Sequence, residues 1–162
     1  MNMSGRNIAW VIVLSFLGAF VLTILPLPAL ANWFRPEWVL LVLICWNSLI
    51  PDRVGVGAGW ISGLVVDVLG NYTVGEHALI FTFISYLVVR FSSRIKFFLF
   101  WQKSCIIFGL ILLSQILQIW LEGIFGNRII SNWYWFSVPV TTLFWPWIMA
   151  LMQRWQQKYN IE

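Results

Sequence analysis

The chain has 162 residues, of which 60% are hydrophobic and 10% charged, and its mean hydropathy is +0.83. Soluble domains carry about 25% charged residues, so this composition excludes a water-soluble enzyme or binding module. The net charge of +4 needs no nucleic acid to explain it, because basic residues between membrane spans act as orientation signals.

A spanning helix needs roughly 20 apolar residues at about 1.5 Å each, so most of the chain fits into a bilayer as one integral domain. The apolar runs predict an all-α polytopic protein with six transmembrane helices, at about 8–25, 33–50, 54–70, 76–92, 104–125 and 135–152. The first ends at Pro26 and Pro28. The second is short and begins at Asn32 or Pro36, with Arg35 reaching up to the headgroups. The turn PDRVG separates it from the third, and GNYTVG closes the third with Gly70, Asn71 and Gly75 as turn residues. A basic stretch from Arg90 to Lys103 follows the fourth. The sixth carries Pro139 near its start and Pro146 inside it, where a proline frees a carbonyl and kinks a helix. The N-terminal run followed by PALAN also has the outline of a secretory signal, but it exceeds the usual apolar core of about 7 to 15 residues.

Basic loops stay on the cytoplasmic side. Arg6, Arg53, Arg90, Arg94, Lys96, Lys103, Arg154 and Lys158 fall on one side of the predicted spans, and Arg35 and Arg128 on the other. Both termini are therefore expected in the cytoplasm. Tryptophans near the predicted interfaces, Trp33, Trp38, Trp101, Trp133, Trp135 and Trp155, fit the same picture. Cys45 and Cys105 fall at different depths and read as packing residues.

The stretch GVGAGWISGLVVDVLG holds the main polar signal. Gly55, Gly59 and Gly63 recur every four residues, and Asp67 is next in the series, so the four share one helix face. A stripe without side chains lets another helix approach closely. It aims Asp67 at that helix and away from lipid, where an ionised carboxylate costs several kcal/mol. The alternative is that Asp67, about one turn from the helix end, reaches headgroup water. On the fifth helix Gln115, Gln118 and Glu122 form a second polar stripe. Arg35, Asp67, Glu76, His77, Glu122 and Arg128 all fall toward one half of the bilayer, as an ion-paired cluster or as scattered interfacial charges. Packing within one chain and homodimerisation through Gly55 to Gly63 are two uses of the same stripe.

Catalysis has little to work with. His77 is the only histidine and reads as a loop residue near the headgroups, Glu76 beside it does not share its helix face, and no nucleophile elbow or phosphate-binding loop is present. No cofactor or metal site is expected.

In this order, FRPEWVLLVL (34–43), VGVGAGWISGLVVDVLGNYTVGEHAL (54–79) and LFWPWIMALM (143–152) resemble the rod shape-determining MreD family, along nearly the whole chain. Glu76 and His77 are not part of the family pattern, and no role is carried to them. The resemblance implies a non-enzymatic bacterial inner-membrane subunit of the cell-wall elongation machinery. It implies MreC as a direct partner, and MreB, RodZ, RodA and penicillin-binding protein 2 in the wider complex. It also implies a fold similar to the six-helix substrate-binding subunit of energy-coupling-factor transporters. The motif positions Arg35, Pro36, Gly55, Gly59, Gly63, Asp67 and Gly75 are then expected to serve folding and partner contact. Two function classes remain: a scaffold or regulator, and a carrier whose polar cluster holds a small solute or lipid precursor.

Overall fold

A computed structural model describes residues 5–25, 36–71, 73–95, 97–125 and 135–159. These residues form six α-helices: α1 (Gly5–Ile24), α2 (Trp38–Leu49), α3 (Gly55–Gly70), α4 (Glu76–Ile95), α5 (Phe100–Phe125) and α6 (Ser137–Tyr159). Within them, Glu76–Ile95 and Phe100–Ile124 are long and apolar enough to cross a membrane. Large apolar side chains stand exposed on the outside of the bundle, among them Leu14, Val21, Ile61, Phe83, Ile124 and Leu143. That outward display suits a hydrocarbon solvent, where lipid tails replace water around the bundle.

The core is built around α2. Every residue from Val39 to Ser48 is buried, as expected of a helix that is apolar all round. With 12 residues it is only about 18 Å long, so it sits inside the bundle and does not span a membrane by itself. Polar tethers fix it to its neighbours. The Trp46 indole Nε1 donates to Ser15 Oγ of α1 at 2.7 Å, Asn47 Nδ2 donates to Ser85 Oγ of α4 at 3.0 Å, and the Glu37 N–H donates to Thr141 Oγ1 of α6 at 3.2 Å.

Helix boundaries differ from the hydropathy reading where local chemistry overrides it. Helix α2 starts only at Trp38, because Pro36 and Glu37 stay outside it and the Glu37 carbonyl accepts the first helical bond, from the Leu41 N–H. Helix α5 starts earlier than 104: Gln102 Oε1 reaches back to accept the Leu99 N–H at 3.1 Å, half of a capping box. Helix α6 continues to Tyr159 through MQRWQQKY, whose Met, Gln, Arg and Lys are good helix formers although not apolar. Pro139 falls in the first turn of α6, where a missing N–H costs nothing, while Pro146 lies inside it.

Candidate functional site: a buried polar layer across the bundle

Helices α3 and α4 form an antiparallel hairpin whose backbones come close together at Gly59 and Gly63. A Cβ on Gly59 would collide with the Ser85 hydroxyl and the Phe81 carbonyl, and one on Gly63 with the Ala78 and His77 backbone. Both glycines therefore serve packing within this chain. Gly55 differs, since a Cβ there would meet nothing within 4 Å. It enters α3 with φ of +60°, a left-handed conformation that favours glycine, so its place is set by the turn and not by the stripe.

Asp67 closes the hairpin. Its side chain is fully buried, and its two oxygens collect the N–H groups at the start of α4. Oδ2 accepts from the Gly75 N–H at 2.8 Å and the Ala78 N–H at 3.3 Å, and Oδ1 accepts from the His77 N–H at 2.9 Å. The first N–H groups of a helix have no partner within it, and a carboxylate there also meets the positive end of the helix dipole. Asp67 is thus an N-cap donated by one helix to the next. Gly75 makes it accessible with φ of +102°, and Asn71 ends α3 in the left-handed region at φ 53°.

His77 is buried, not a loop residue at the headgroups. Its Nδ1 lies 2.8 Å from Asp67 Oδ1. A carboxylate only accepts, so Nδ1 carries the proton of that bond. The ring meets Phe81 edge-on at 5.8 Å. Glu76 beside it is buried as well, because the first turn of α4 is enclosed on more than one side.

A further acid, Glu37, was not picked out from the sequence. It precedes α2 and meets α5, where Ser114 Oγ donates to its Oε2 at 3.3 Å and the Gln115 side chain hydrogen-bonds it as well. It lies within electrostatic reach of the His77 ring. Its Oε1 is sealed from solvent and has no hydrogen-bond partner among the described residues. Ser114, near the middle of α5, places Glu37 deep in the bundle, so the in-span acids are not confined to one edge. The available signal was Ser114 beside Gln115 in the middle of α5, a polar pair within an apolar stretch that needs a partner.

Together, Glu37, Asp67, His77, Ser114, Gln115 and Thr141 make a polar layer that links α2 to α6. Gln115 and Gln118 are buried, and Glu122, last in their stripe, is half-buried. Pro36 lies just outside α2. Arg35 and Arg128, expected at this level, lie outside the described residues. Among the described residues, no three His, Cys, Asp or Glu side chains form a group able to hold a metal ion.

An apolar six-helix bundle whose acids serve helix ends and helix contacts defines a polytopic membrane protein. Residues 4–155 match the family model of the rod shape-determining protein MreD, and the chain belongs to that family, whose members are non-enzymatic. It is similar to the rod shape-determining protein MreD of Haemophilus influenzae, with 26% identity over 156 residues, 94% of each chain. No solved structure matches it.

Proposed function

We propose that this chain is an inner-membrane scaffold or regulator of the cell-wall elongation machinery, holding MreC directly and RodA, penicillin-binding protein 2, MreB and RodZ through the wider assembly. The observation that carries this reading is the family match along residues 4–155. The polar layer supports it, because Asp67 and His77 are engaged in holding the bundle together. Both termini lie in the cytoplasm: Arg53, Arg90, Arg94, Lys103 and Arg154 fall at one end of the helices, opposite the α3–α4 turn. The six-helix order supports a likeness to the substrate-binding subunits of energy-coupling-factor transporters, with the single MreC helix seated against the bundle and Arg35, Pro36 and Gly75 on the periplasmic side of that contact.

Depletion of the protein in its host, followed by phase-contrast microscopy, tests the reading. Rods swell into spheres and the intact gene restores them; cells that keep their width sink it. A second reading is favoured by one observation, that Glu37 Oε1 has no partner among the described residues. It makes the polar layer a site for a small solute, and mass spectrometry of molecules co-purified with the intact chain and with Glu37→Gln checks it.

A further inference from the structure

The α4–α5 hairpin contains a second feature, at the end opposite Asp67. A cavity of about 360 Å³ opens between the last turns of α4 and the first turns of α5, walled by Leu87, Val88, Phe91, Ile106 and Leu110. Its size falls within the usual range for ligand pockets, about 300–1,000 Å³. The wall is aliphatic and aromatic, and the one charged side chain in it is Arg94. Arg94 is exposed, and its guanidinium has no hydrogen-bond or ion-pair partner among the described residues.

Charge and depth both define the occupant. From residue 77 to residue 121 the sequence contains no acid, whereas it carries Arg90, Arg94, Lys96 and Lys103 between residues 90 and 103. A guanidinium at the mouth of an apolar trough fits a phosphate by bidentate hydrogen bonding. Leu87 lies about 10 Å along the helix axis from Arg94, so the trough runs from headgroup level into the acyl region of the same leaflet. We propose that this cavity holds one acyl chain of an anionic phospholipid, with its phosphate on Arg94. The lipid fills the gap between α4 and α5 and neutralises charge that the hairpin itself does not balance.

The experiment uses the full chain in a neutral detergent, with phosphatidylglycerol and phosphatidylcholine of equal chain length as probes and native mass spectrometry as readout. One phosphatidylglycerol is retained in preference to phosphatidylcholine. Arg94→Glu weakens its retention about tenfold or more, since one attraction is lost and one repulsion gained. Arg154→Glu, at the same end of the bundle but outside the cavity, leaves retention unchanged. Leu110→Trp and Ile106→Trp fill the cavity from neighbouring turns of α5, and loss of lipid in either, at unchanged helicity by circular dichroism, supports the assignment. Equal retention of the two lipids by the intact chain overturns it. So does an Arg154→Glu loss equal to that of Arg94→Glu, which would reduce the effect to general surface charge. Retention in both tryptophan variants also overturns it, and leaves the cavity to a partner's helix.

Discussion

Four N–H groups converge on the two oxygens of Asp67: three from the backbone at the start of α4 and one from the His77 ring. Removing the carboxylate leaves buried donors without acceptors, at about 1–3 kcal/mol for each such group. Asp67→Ala is therefore expected to cost about 3 kcal/mol or more, read as a fall in Tm by tryptophan fluorescence in detergent, with the protein still inserted. Asp67→Asn, which keeps one acceptor oxygen, falls between Ala and the parent. His77→Ala costs less, about 1 kcal/mol, because the backbone of α4 stays capped. If Asp67→Ala melts like the parent and supports normal rod shape at normal expression, the carboxylate is only an interfacial charge.

For the helix pair, two glycines on α3 give opposite expectations. Gly63→Val drives a branched side chain into the Ala78 backbone and forces α3 from α4, so Tm drops and hydrogen exchange rises across 59–85. Gly57 faces open space, and Gly57→Ala gains helix propensity, about 1 kcal/mol at most, with unchanged or higher Tm. Equal effects at the two positions would mean that the hairpin is not held by close backbone contact. The four-residue spacing made it legible that Gly59, Gly63 and Asp67 share a face, because helical periodicity is a local property. That the facing helix is α4 was not legible, since a smooth stripe fits any backbone. Glu37 stayed hidden for a related reason: beside Arg35 and Trp38 it has the composition of a membrane edge, and only the burial of α2 carries it inward.

Across the whole molecule, α2 and the Glu37 that precedes it tie α1, α4, α5 and α6 into one body: α2 through Ser15 and Ser85, and Glu37 through Ser114 and Thr141. Six apolar runs separated by turn residues could be read from the sequence, but the enclosure of the second could not, because hydropathy does not distinguish a lipid-facing helix from a helix-facing one. The proposed orientation has a direct check. Phe97, in the α4–α5 turn, is 90% exposed, and Phe97→Cys in a Cys105→Ser background is expected to react with a membrane-impermeant maleimide in inverted vesicles and not in intact spheroplasts. Labelling from the outside would reverse the assignment of the two faces.

The cap that Asp67 places on α4 also bears on how the chain is made. When α3 leaves the ribosome, the N–H groups that will hold its carboxylate belong to a segment not yet delivered to the bilayer, and α3 alone would present a bare acid to lipid. Release of α3 into the membrane is therefore expected to wait for α4. A nascent chain truncated within 71–75 should remain at the translocon or be degraded, whereas one truncated after Ile95 should partition stably. The unit of biogenesis in this region is the α3–α4 hairpin, entering the membrane in a single step.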